Sequence, residues 1–174
     1  MPTNGPSSVA FESVIEAPKA NRSVRSIPAP ATMSNAIRLA YDLGLEDALR
    51  AECDRVAERD RLVVNFRCGQ LPAGMPRDLA LCVYRIAQEA LRNAVKHAQA
   101  DRVDPTLNAD LEFLDLEIRD FGSGFDPAVG RHRAGLGLAS MEERVRLVGG
   151  EISISSNPGQ GTGIQVRVPL PEET

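Results

Sequence analysis

Glu89, Asn93 and Lys96 lie four and three residues apart in the segment Gln88-Glu89-Ala90-Leu91-Arg92-Asn93-Ala94-Val95-Lys96-His97. In a helix that spacing puts all three on one face, about 100° or more from the apolar stripe. A carboxylate and an amide oxygen are hard donors. Together they can ligate Mg²⁺ and leave coordination positions for phosphate oxygens and water. A lysine one turn further on can neutralise phosphate charge. The plainer alternative is a solvated face carrying a Glu–Lys pair. His97 reads as a helix-end residue interacting with the macrodipole before it reads as a phosphate contact.

A second segment, Asp120-Phe121-Gly122-Ser123-Gly124-Phe125-Asp126, sets a carboxylate at a strand end before two glycines. A buried carboxylate needs a donor. The exocyclic amine of adenine is one, and Gly122 and Gly124 would let backbone approach the flat base closely. An Asp-x-Gly hairpin turn explains the same residues without a ligand. A third segment, Gly135-Leu136-Gly137-Leu138, opens a helix whose first amides would point at an anion. Arg131, His132 and Arg133 precede it, as a basic lid or as solvated loop charges. Each segment alone is weak, and their order and spacing outline an ATP pocket.

The elements that hold these segments can be read from periodicity. Residues 1–34 carry prolines among Ser, Asn and Ala without a sustained period, and read as a mobile tail or linker before a domain at 35–171. Leu45, Ala48, Leu49, Cys53, Val56 and Ala57 have helical spacing. Arg61 to Arg67 switches to a strand. Leu79, Val83, Ile86, Ala90 and Ala94 form the buried stripe of a long helix from about Pro76 to His97, with the proline in its first turn. Arg102 to Leu107 reads as a strand that Asp104-Pro105 interrupts, which implies an edge strand, a bulge or a shortened strand. Leu114, Leu116 and Ile118 alternate, so a half-buried strand ends at Asp120. The glycine-rich stretch 121–136 is a loop long enough to be functional. A helix carrying Leu138, Met141 and Val145 stops at Gly149-Gly150. Glu151–Ser155 and Gly163–Val168 form a hairpin. The predicted class is α+β: a two-layer α/β sandwich with helices on one face of a mixed, mostly antiparallel sheet.

Composition excludes several other classes. The net charge of −4 gives no general pull toward nucleic acid or anionic membrane. Cys53, Cys68 and Cys82 make no C-x-x-C pair, which argues against a disulfide framework or zinc site and fits a reducing, cytoplasmic setting. No apolar run approaches the roughly 18–20 residues of a membrane helix. Asp120-Phe121-Gly122 spells the magnesium motif of protein kinases but lacks that family's other signatures. No P-loop or dinucleotide fingerprint is present.

Together the segments resemble the ATP-binding catalytic domain of sensor histidine kinases, in the superfamily that also holds DNA gyrase, MutL repair proteins and a heat-shock chaperone. Glu89 to Lys96 resembles that family's asparagine box. Asp120-x-Gly122-x-Gly124 and Gly135-x-Gly137-Leu138 resemble its two glycine boxes, and Gly161-Thr162 its late Gly-Thr. Tyr84-Arg85-Ile86-Ala87-Gln88-Glu89-Ala90-Leu91 and Gly135-Leu136-Gly137-Leu138-x-x-Met141-x-Glu143-Arg144-Val145 are similar to the nitrate-sensor and degradation-sensor branch. The resemblance covers about residues 42–170.

The resemblance implies a Bergerat-type ATP-binding fold and ATP with Mg²⁺ as cofactors. It implies Asn93 and Glu89 at the metal, with Glu89 as general base or polariser of an accepting imidazole and Lys96 beside it in the catalytic group. Asp120, with Gly122, Gly124, Leu138 and the Thr162 hydroxyl, would hold adenine, and Gly135 and Gly137 would hinge a lid. Implied partners are a histidine-bearing dimerisation domain and, downstream, a response regulator. Neither His97 nor His132 sits in the family's acceptor motif, so the chain is not expected to autophosphorylate alone. Two other readings stand beside this one: a nucleotide-dependent regulatory module of the anti-sigma-factor-kinase kind, and an ATP-binding scaffold without turnover.

Overall fold

A computed structural model of the chain describes residues 44–126 and 135–171. The expected tail at 1–34, the first helical residues after it, and Arg131, His132 and Arg133 lie outside the described residues. Helix α1 spans Leu45–Asp60, and two short strands follow, β1 (Val63–Val64) and β2 (Arg67–Cys68). Helix α2 spans Arg77–Asn93 and ends in a π-helical turn, Ala94–Ala98. Strands β3 (Arg102–Ala109) and β4 (Phe113–Asp120) precede helix α3 (Gly135–Leu147) and the hairpin β5 (Glu151–Ser156) and β6 (Thr162–Pro169).

The strands form one sheet, in which β1 and β2 share one margin beside β3, followed by β4, β6 and β5. Only the pairings of β1 and β2 with β3 are parallel. Side chains alternate across a strand. Val103 and Leu107, Leu114, Leu116 and Ile118, and Ile164, Val166 and Val168 are therefore buried on one face. The intervening Glu117, Arg119, Gln165 and Arg167 are exposed on the other. All five residues of the α2 stripe are buried, with Tyr84, Ala87 and Leu91 beside them. The helix lies on the sheet with α1 and α3 as its neighbours in the same layer. Helix α3 stops where expected: Gly149 adopts φ 71°, and the Gly150 N–H returns to Val145 O at 3.0 Å. No helix among the described residues is long and apolar enough to cross a membrane.

Pro105 corrects one expectation. Strand β3 is neither an edge strand nor shortened, and it pairs continuously with β4 from Val103 to Ala109. The Asn65 and Gly69 amides donate to Val103 O and Leu107 O, and Phe121 N donates to Arg102 O. Odd-numbered β3 residues therefore bond toward β1 and β2, and even-numbered ones toward β4. Pro105 withholds its missing donor from the outer strand alone. That outer strand is what breaks. β1 and β2 keep one register, Val63 opposite Arg102 and Arg67 opposite Thr106, with a gap between them opposite Asp104 and Pro105. The Asn65 side chain spans the gap, donating to Asp104 Oδ1 at 2.8 Å.

Candidate functional site

The same alternation that buries Leu114, Leu116 and Ile118 carries Asp120 onto the helix-facing side of β4. It is buried there, at 7 % exposure. Asp120 Oδ1 accepts from the Gly122 amide at 3.0 Å and the Thr162 amide at 3.2 Å. Its other oxygen makes no hydrogen bond among the described residues. Gly161 closes over it: a Cβ at that position would lie 2.0 Å from Asp120 O. A Cβ on Gly124 would lie 2.0 Å from Asn157 O, so the loop after β4 runs against the β5–β6 turn.

Glu89, Asn93 and Gly137 form a second cluster. A Cβ on Gly137 would sit 2.3 Å from Glu89 Oε1 and 3.7 Å from Asn93 Nδ2, so the first turn of α3 rests on the polar face of α2. Arg92 Nη2 donates to Glu89 Oε1 at 2.6 Å. The half-buried Asn93 amide makes no hydrogen bond among the described residues. Its oxygen is the kind of hard, unengaged donor that suits Mg²⁺ held mainly by phosphate and water. Gly135 begins α3, and Leu138 is half-buried and packs on the core.

The π turn at the end of α2 joins the two clusters. The Gln99 N–H bonds back to Ala94 O, one residue further than an α-helix would reach. Ala98 O is then available to the loop after β4: Ser123 N donates to it at 2.8 Å, and a Cβ on Gly122 would lie 2.3 Å from it. The turn also corrects the expectation of an uninterrupted α-helix to His97. Lys96 therefore lies within the π turn rather than on a regular continuation of α2. Lys96 and His97 are both exposed.

Two groups escaped the sequence reading. Ser156 is buried, accepts the Phe125 amide at 2.9 Å and donates to Gly161 O at 3.0 Å. A hydroxyl has one proton, so the 3.1 Å contact with Thr162 Oγ1 must take its proton from Thr162. The Thr162 oxygen is left with lone pairs only. A signal for Ser156 was present, since it continues the alternation of Ile152 and Ile154. Glu52 is buried on the α1 stripe between Leu49 and Val56, at helical spacing from both. Its carboxylate accepts the Tyr84 hydroxyl at 3.0 Å and pairs with Arg55. Burial first, and the Glu52 charge second, push the Tyr84 phenol well above its ordinary range.

Residues 79–172 match the family described as Histidine kinase-, DNA gyrase B-, and HSP90-like ATPase, and the chain belongs to that family. It is 34 % identical over 129 residues to the oxygen sensor histidine kinase NreB of Staphylococcus carnosus (strain TM300), covering 74 % of this chain and 37 % of NreB. It is 35 % identical over 134 residues to the sensor histidine kinase ComP of Bacillus subtilis (strain 168), covering 76 % of this chain and 17 % of ComP. The chain thus spans well under half the length of either relative. Among solved structures, the blue-light activated histidine kinase of Erythrobacter litoralis EL346 superposes with a TM-score of 0.63 at 22 % identity, over 78 % of this chain and 45 % of that one. The fold, and an ATP-binding catalytic domain of the histidine-kinase type, follow from these likenesses together with the site.

Proposed function

We propose that this domain binds Mg·ATP and passes the γ-phosphoryl group to a histidine on a separate dimerisation domain or chain, from which a response regulator takes it in a cytoplasmic two-component relay. The observation that carries the reading is the role of α2 as a common wall. Its polar face meets Gly137, and its last carbonyl meets the glycine loop after Asp120. From Glu89 to Ala98 the helix rises about 13 Å, a span on the order of the length of an extended nucleoside triphosphate.

In this reading the second Asp120 oxygen accepts the adenine amine, and the Thr162 hydroxyl oxygen lies beside it. Asn93 holds Mg²⁺, with Glu89 as a further ligand. Magnesium held by these two residues would supply charge neutralisation to the phosphate oxygens. Lys96 adds positive charge near the phosphates. Gly135 and Gly137 hinge the lid. An imidazole nitrogen attacks the γ-phosphorus as the bond to the β-phosphate oxygen breaks and ADP departs. The proton leaving the imidazole passes to Glu89. Arg92, which now holds Glu89, must let it go for that step.

The test mixes the full chain with γ-labelled ATP and a panel of isolated dimerisation domains. Acid-labile label on histidine supports the transfer. Acid-stable label on serine points to a regulatory kinase of the anti-sigma type. Tight ATP binding without transfer points to a scaffold.

A further inference from the structure

We infer that the groove between α1, α2 and α3 docks an acidic segment of the protein that carries the phosphoacceptor. The inference rests on the function proposed above and names the chemistry of its partner. Arg55 and Arg59 lie one turn apart on α1, Arg85 and Arg92 two turns apart on α2, and Arg144 faces them from α3. They line a groove of about 320 Å³. The chain as a whole is negative, at −4, so this concentration of guanidinium groups runs against the overall charge.

Internal pairing offsets only part of it. Glu52 takes Arg55, Glu89 takes Arg92, and Asp60 takes Arg59. Arg85 donates only to the neutral Gln88 amide oxygen, at 2.8 Å. Arg144 forms no ion pair among the described residues. Among the described residues, two positive charges therefore line the groove with no carboxylate paired to them.

The spread of the arginines selects the occupant. Arg85 and Arg92 are separated by about 10 Å of helix, with α1 and α3 contributing on either side. A single phosphate reaches one or two of them. A peptide segment with carboxylates several residues apart reaches them all, and the groove floor offers the buried Val56 and Met141 to its apolar atoms. Glu89 lines the same groove. A segment seated there brings its neighbouring side chains to that carboxylate. An incoming carboxylate that exchanges for Glu89 on Arg92 also frees the Glu89 oxygens, so docking and release of the base become one event.

The test uses the full chain and fluorescent 20-residue helical peptides with Glu at every fourth position, matched Lys peptides, and inorganic phosphate as competitor. ATP binding is followed by calorimetry on the same samples. The inference expects the Glu peptide to bind, the Lys peptide to fail, and affinity to fall steeply with salt. Arg85→Glu and, independently, Arg144→Gln should each weaken the peptide roughly ten-fold. Equal binding of both peptides, unchanged affinity in the two variants, or full displacement by millimolar phosphate would overturn it. Absence of heat with ATP sinks the nucleotide reading, whereas ATP binding without Glu-peptide capture sinks the groove alone.

Discussion

Gly137 stands so close to Glu89 that a side chain in the first turn of α3 would displace that carboxylate: the 2.3 Å from a Cβ to Oε1 is well inside contact distance. The atom in the way is the end of a flexible side chain, so it can move. We expect Gly137→Ala to leave the unfolding free energy within about 1 kcal/mol of wild type, since the better helix propensity of alanine offsets the crowding. Phosphoryl transfer should fall roughly ten-fold or more, because Glu89 is displaced. Gly161→Ala is the contrast. There the obstacle is the Asp120 carbonyl, and the glycine sits at φ 77°. It should cost about 2–4 kcal/mol in a urea titration.

Asp120 and Asn93 should separate base recognition from metal. Asp120→Ala is expected to weaken ATP, ADP and AMP by a similar factor, and to lower stability by about 1–3 kcal/mol because two amides lose their acceptor. Asn93→Ala should weaken ATP only when Mg²⁺ is present. Calorimetric titrations with and without EDTA read both. Unchanged ADP affinity in Asp120→Ala would remove the adenine assignment.

Ser156 and Thr162 should behave as a coupled pair. Ser156→Ala leaves the Phe125 amide without its acceptor and Gly161 O without its donor, at a cost of about 1–3 kcal/mol. Thr162→Val removes one donor to Ser156. In a double-mutant cycle by urea denaturation the two should be non-additive by about 0.5–1.5 kcal/mol. Strict additivity would mean that the two hydroxyls do not share a hydrogen bond.

The thiols give a pH dependence of known sign. Burial pushes Cys53 up to about 12 and Cys82 up to about 11. Each folded value lies above that of an unfolded thiol, near 8.5. Their contribution is complete below about pH 8.5 and is lost as pH rises toward the folded values. The unfolding free energy should drop by about 1–2 kcal/mol per thiol between pH 8 and 10. Cys53→Ala should flatten that slope. At pH 8 in native buffer, the half-buried Cys68 should be alkylated before either buried thiol, as mass spectrometry would show.

The sequence was most legible where one period governs one face. Leu114, Leu116 and Ile118 fixed the side of β4 to which Asp120 points, and Gly149-Gly150 marked the end of α3. Polar residues on a buried face were harder to read, because residue type outweighed position. Ser156 continues the Ile152–Ile154 alternation and Glu52 continues the Leu45–Leu49 stripe, yet neither stands out from residue type, because the hydrogen-bond partners that explain their burial include residues far away in sequence. The π turn had no local signal. Nothing in Ala94-Val95-Lys96-His97-Ala98 disfavours an α-helix, and the deviation makes sense only from the loop that takes up Ala98 O. Pro105 was read correctly as a missing donor and wrongly as a flaw in its own strand, since only the pairing partners decide which neighbour goes without.

That missing donor makes the two margins of the sheet unequal. On the β5 side the border is an unbroken six-residue strand. On the other side it is a pair of two-residue stubs with a side-chain amide tying the space between them. A stranger's backbone seeking to extend the sheet finds no straight rail on that second side. One imino acid in an interior strand thus guards a border that it does not itself occupy.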